Sequence, residues 1–100
     1  MDIHIDTTDG PKNVRLIGRF DAHETAAART ALEPLVGVDT INIDLSGVNF
    51  IDSAGLAELV RLLKRSREQG GHLVLIAPSD PVRVIFELTG LDRAFTLAAS

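Results

Sequence analysis

Ser53 is the residue of this chain best placed for covalent chemistry. It stands in Asp52-Ser53-Ala54-Gly55-Leu56, where a strictly alternating segment gives way to the most regular apolar periodicity in the sequence. A serine at such a junction can serve the fold by capping a helix. Asp52 or Ser53 can accept from the free backbone N–H groups of the first turn, and the helix dipole favours the Asp52 carboxylate there. The same hydroxyl, on an exposed loop edge, can accept a phosphoryl group, which adds about −1.5 to −2 charges. A helix N-terminus tolerates that charge, with a gain of ~0.3–1 kcal/mol. A partner surface packed over the same helix end does not. Burying an unpaired charge costs several kcal/mol, and each ~1.4 kcal/mol is a factor of ten in affinity. On spacing alone both readings, cap and acceptor, stay open.

A third use would be nucleophilic attack with His4, His23 or His72 as base, His23 lying nearest. The strained Gly-x-Ser-x-Gly turn that exposes a hydrolase serine is absent, because position 51 is Ile. No Gly-x-x-x-x-Gly-Lys-Ser/Thr loop exists either, and Gly70-Gly71 closes a helical segment rather than opening one. The chain is therefore not expected to be an enzyme or to bind a nucleotide through such a loop.

The elements that must position Ser53 follow from the pattern. Asp2 to Asp6 alternates and reads as a strand, and the turn residues Thr7-Thr8-Asp9-Gly10-Pro11 lead to a hairpin partner, Val14 to Ile17, closed by Gly18. A helix is expected over residues 22 to 36, with Asp21 as its cap and Pro34 near its end. Thr40 to Ser46 is the clearest strand. Its polar side, Asn42, Asp44 and Ser46, predicts a sheet face that no helix covers. Residues 54 to 69 form the clearest helix. Leu56, Leu59, Val60 and Leu63 make its apolar stripe, and Glu58, Arg61, Lys64, Arg65 and Glu68 its solvated face. His72 to Ala77 reads as a buried strand. Asp80 is expected to cap a third helix with Pro81 at its first position, and Phe95 to Leu97 adds a last strand.

The fold class is thus α/β, one domain over residues 1–100. It has a small mixed sheet, mostly parallel βα units, and helices mainly on one face. In that topology the loops Gly18 to Asp21, Gly47 to Ser53 and Pro78 to Asp80 leave one edge of the sheet, where sites on open α/β sheets form.

Composition narrows the function. The 100 residues are 45% hydrophobic and 24% charged, enough for a packed core, and contain no cysteine, which removes thiolate chemistry and disulfides. The net charge is −4, with Arg61, Lys64, Arg65 and Arg67 as the one basic cluster, read as a solvated helix face. An acidic chain whose four aromatics are all Phe is a poor nucleic-acid binder. No apolar run approaches the ~18 residues of a membrane span, and the N-terminus has no signal-peptide pattern. A cytoplasmic monomer is expected.

Asp52-Ser53-Ala54-Gly55-Leu56 resembles the Asp-Ser-Ser/Thr-Gly-Leu motif of the anti-sigma factor antagonist family, the STAS domains. Other segments extend the likeness in order along nearly the whole chain: Leu16 to Asp21, Ile43 to Ile51, Gly70-Gly71, Ala77-Pro78-Ser79 and Phe86 to Leu91. The resemblance implies a phosphorylatable protein-binding switch. The unphosphorylated antagonist binds an anti-sigma factor that is also a serine kinase, and so releases a sigma factor. Phosphorylation by that kinase ends the binding, and a metal-dependent serine phosphatase resets it. By position Ser53 corresponds to the phosphoacceptor and Asp52 to the acid beside it. Gly18 and Asp21 correspond to the neighbouring loop of a partner surface that also includes Ala54 and Gly55. ATP and metal belong to the partners, so no cofactor is implied. Ala54 departs from the usual Ser or Thr and removes a second possible acceptor. The chain also stops where many relatives run into a final helix. STAS-like chains serve as regulatory subunits of transport systems too, and this is the alternative that the motif leaves open.

Overall fold

Ile41, Ile43 and Leu45 alternate with polar residues and are fully buried, so they form the inner side of the central strand. Around it the computed structural model, which describes residues 1–8 and 10–99, builds a five-stranded sheet. Asp9, in the middle of the expected turn, lies outside the described residues, as does Ser100. The strands are β1 (Asp2–Asp6), β2 (Lys12–Phe20), β3 (Ile41–Ile51), β4 (Leu73–Ile76) and β5 (Thr96–Ala98), and they lie side by side in that order. β1 and β2 form the expected antiparallel hairpin, while β2 to β5 run parallel. The helices are α1 (Thr25–Leu32), α2 (Ser53–Glu68) and α3 (Asp80–Thr89). Short 3-10 turns follow α1 at Glu33–Leu35 and α3 at Leu91–Arg93.

The helices cover one face. Val14, Leu16, Ile41, Ile43, Leu45, Leu73 and Leu75 from the strands meet Ala28, Leu32, Leu56, Leu59, Leu62, Leu63, Val82 and Phe86 from the helices. Phe95 closes the far end by stacking on Phe86, with ring centroids 5.7 Å apart. The other face is polar along β2 and β3, as expected for Asn42 and Asp44: Asn42 Nδ2 donates to Asn13 Oδ1 at 3.1 Å, and Arg15 pairs with Asp44 beside them, while Val74 and Ile76 of β4 share that face.

Several local expectations are corrected. α1 starts at Thr25, not at residue 22, and Asp21 does not cap it. The Asp21 carboxylate instead accepts from the backbone N–H of His23, two residues on, which makes residues 21–24 a turn. Gly18 does not close β2, which runs on to Phe20, nor does β3 end at Ser46. Irregularities in register between Arg15 and Ile17 and between Gly18 and Arg19 let β2 stay paired with β3 as far as Phe20 and Ile51. Gly18 accommodates this bend with φ +111°. Asp80 is the first residue of α3 rather than its cap. Ser79 holds the cap position, and its hydroxyl donates across to the carbonyl of Val48.

The solvated face assigned to α2 is also corrected. Glu58 is only 5% exposed, while Val60 is half-buried. Arg29 of α1 and Arg61 clamp the Glu58 carboxylate at 2.8 and 2.7 Å. Arg61 and Arg65 reach on to Glu33 at 3.1 and 3.0 Å. A charged residue inside an apolar stripe is tolerated because both its oxygens are paired. Burial pushes the Glu58 pKa up, but the hydrogen bonds from Arg61 and Arg29 outweigh it and hold the group below the usual carboxylate value.

Candidate functional site

The ends of β2 and β3 and the start of α2 converge at one edge of the sheet. Asp52 is the single residue between β3 and α2, and its backbone is extended. Its backbone N–H donates to the carbonyl of Phe20 at 3.3 Å, which carries the ladder between β2 and β3 one step further. Its carboxylate then divides its two oxygens. Oδ1 accepts from the N–H of Gly55 at 2.9 Å and caps α2; Oδ2 accepts from the N–H of Ala22 at 3.1 Å and holds the turn after β2. Asp52 thereby ties both loops of the expected surface together. The Gly55 N–H, and after it that of Ala22, hold its pKa below the usual range.

With the cap supplied by Asp52, Ser53 becomes the first residue of α2, and it is exposed. Among the described residues its hydroxyl makes no hydrogen bond to the protein. No histidine ring is bonded to it either, so the nucleophile–base contact of a serine hydrolase is not formed among them. Ala54 is half-buried beside it, and Gly55 is buried. Gly55 therefore lies beneath the surface where it was expected to touch a partner, and it acts by letting the helix approach. A Cβ there would stand 2.3 Å from the Phe20 carbonyl oxygen and 2.9 Å from Cγ1 of Ile51. Gly18 is half-buried, opposite Val48. Asp21 lies at the mouth of the site, 3.6 Å from Arg19 Nε.

Two features escape sequence reasoning. Arg19 and Phe50, on neighbouring strands, stack with the guanidinium 4.0 Å from the ring centroid. Phe50 is 37% exposed, and its position at the polar end of an alternating strand was the available signal. The other is a groove of about 440 Å³ that starts at Ser53 and follows α2 past Ala57 and Val60 towards Leu91. It comes from the packing of distant segments and left no local trace. Among the described residues no cluster of histidine, aspartate or glutamate side chains is arranged to hold a metal ion. No helix of the structure is long and apolar enough to cross a membrane.

The site is thus an exposed serine at a helix start, at the edge of a sheet that helices cover on one face. Comparison with known proteins specifies the class. The STAS domain family model matches residues 2–100. The anti-sigma-B factor antagonist of Bacillus subtilis (strain 168) is 30% identical over 103 residues, covering 99% of this chain and 94% of that protein. The crystal structure of an anti-sigma factor antagonist from Mycobacterium paratuberculosis superposes with a TM-score of 0.87 at 28% identity, covering 99% and 86% of the two chains. The anti-sigma factor antagonist SpoIIAA in its unphosphorylated form shares the fold, with a TM-score of 0.81 at 22% identity over 99% and 89%. The chain belongs to the STAS domain family.

Proposed function

We propose that this protein is an anti-sigma factor antagonist switched by phosphorylation of Ser53. In its unphosphorylated form it binds an anti-sigma factor that is also a serine kinase, and the sigma factor is released. Phosphorylation of Ser53 ends the binding, and a metal-dependent serine phosphatase restores it. The observation that carries this reading is the division of labour at the start of α2. Among the described residues Asp52 supplies the cap, which leaves the exposed Ser53 hydroxyl spare.

The consequence for binding is electrostatic. A phosphate on Ser53 would sit beside the Asp52 carboxylate and close to the mouth formed by Asp21. A partner covering these residues would have to bury that added charge, which opposes docking without disturbing the core. Asp52 positions the β2–α1 turn and the helix start as one surface, so Gly18, Asp21, Ser53 and Ala54 face the partner together. Gly55 supports them from below.

The test is to incubate the purified chain with ATP and candidate serine kinases of its own genome and to read its mass. Addition of one phosphate, mapped to Ser53 and missing from Ser53→Ala, is the expected result. A chain that gains no phosphate and binds none of the kinases would overturn the reading in favour of a transport-associated subunit.

A further inference from the structure

On the sheet face that the helices leave open, β2 and β3 carry a row of cross-strand pairs. Asn13 stands opposite Asn42, Arg15 opposite Asp44, and Arg19 opposite Phe50. Phe20 and Ile51, next along the two strands, are in the core, so Arg19 and Phe50 turn away from it. Each pair joins two complementary groups, and each keeps spare capacity. Asn42 Nδ2 donates to Asn13 Oδ1, which leaves Asn13 Nδ2 and Asn42 Oδ1 free among the described residues. Arg15 Nε lies 3.8 Å from Asp44 Oδ2, too far for a hydrogen bond. Phe50 holds Arg19 on one side of its ring and is still 37% exposed. In the middle of this face is a cup of about 320 Å³ whose lining includes Arg15, Asp44 and Ile76.

This pattern is self-complementary. A two-fold axis between β2 and β3, parallel to both, lays a second copy on the open face. Each β2 then lies over the β3 of the other copy, and all four strands run the same way, the aligned mode of sheet packing. Arg15 meets Asp44 of the second copy and Asp44 meets its Arg15, so four charges alternate around the axis and each Arg15 enters the other's cup. Asn13 Nδ2 meets the Asn42 Oδ1 that the pair within the second copy leaves free. Arg19 comes over the second Phe50. The neighbouring placements fail on charge: an axis along β2 sets Arg15 against Arg15, and one along β3 sets Asp44 against Asp44. At the flanks β1 meets β4, where polar His4 and Asp6 come opposite apolar Ile76 and Val74. The association is therefore expected to be micromolar rather than nanomolar.

We infer that this face is an interface between two copies of the chain, in place of the monomer expected from the sequence. The inference stands apart from the Ser53 switch and adds to it. Because the strands of both copies run the same way, both Ser53 hydroxyls lie at one end of the dimer, on its outer, helical sides, and two acceptors are presented together.

Sedimentation equilibrium of the full chain, at concentrations up to about 1 mM, tests it. Wild type should be dimeric at the top of that range, and a monomer throughout would overturn the inference. Arg15→Asp and Asp44→Arg each set like charges face to face, so each alone should associate at least about tenfold more weakly. Mixed in equal amounts they should form a heterodimer, because one brings two carboxylates to the row and the other two guanidinium groups. The double variant Arg15→Asp/Asp44→Arg keeps the pair within the chain and should dimerise like wild type. Leu88→Glu, on the exposed side of α3, is the control and should also dimerise like wild type. Melting curves verify that each variant folds. A dimer that survives both single substitutions, single variants that do not pair when mixed, or a dimer abolished by Leu88→Glu would each overturn the inference. The Ser53 switch is judged separately, by phosphate addition to the same chain.

Discussion

The backbone of Gly55 passes so close to Phe20 that a Cβ would stand 2.3 Å from the Phe20 carbonyl oxygen. That oxygen is also the acceptor for the backbone N–H of Asp52. The start of α2 and the end of β2 are therefore locked at a separation only glycine permits, and the height of Ser53 above the sheet edge is set by it.

Gly55→Ala should accordingly destabilise the fold. The obstacle is backbone rather than the end of a flexible side chain, so relief requires α2 to shift. The expected loss is about 1–3 kcal/mol, the range for overpacking, read from the urea midpoint. Partner affinity should fall as well, since the shift displaces Ser53. A wild-type midpoint would mean the helix start is looser than its contacts indicate.

Asp52 and Ser53 should separate cleanly in stability. Asp52→Ala removes the side-chain cap of α2 and takes the carboxylate acceptor from the Ala22 N–H, so a loss of about 1–2 kcal/mol is expected. Ser53→Ala should stay within about 0.5 kcal/mol of wild type, because its hydroxyl serves no cap. Paired thermal melts check both. A large loss in Ser53→Ala with none in Asp52→Ala would reassign the cap.

Ser53→Asp should fold like wild type, since a negative charge at the first residue of a helix is favoured by the dipole. It should bind the kinase at least about tenfold more weakly, and Ser53→Ala should bind undiminished. Titration calorimetry with the three forms checks this. Loss of affinity in Ser53→Ala, with the fold intact, would contradict a switch based on charge.

Stability should decline in acid. Glu58, Glu33 and Asp52 all have pKa values below their ordinary ones in the folded chain. Their contribution is fully present above the ordinary carboxylate value, 4.5 for the glutamates, and is lost as the pH falls through the lowered folded values. Urea melts from neutral pH downwards should therefore hold steady to about pH 5 and then drop. Glu58→Gln should be less stable at neutral pH by about 2 kcal/mol and should show a shallower acid decline. An unchanged acid slope in Glu58→Gln would remove Glu58 from that account.

What the sequence determined by itself is the set of elements and their order. Alternation in residues 40 to 46 and the 3.6-residue spacing from Leu56 to Leu63 are local, because each residue of an amphipathic element records which side faces the core. The motif Asp52 to Leu56 likewise placed a serine at a helix start. What it left open was which of two adjacent capping residues does the capping. Only the fold decides that, because Asp52 reaches the Ala22 N–H, thirty residues away in the chain, as well as the N–H of Gly55. The ends of β2 and β3 were misjudged for the same reason. Gly18 and Gly47 look like terminators locally, yet pairing between the two strands carries both through. Glu58 has the side chain of a surface residue, and its burial depends on Arg29 arriving from another helix. The groove beside Ser53 is made by Leu91 meeting α2. Contacts between distant segments have no signature in either segment alone, so the residue types of the candidate site were legible in the sequence and their geometry was decided by tertiary packing.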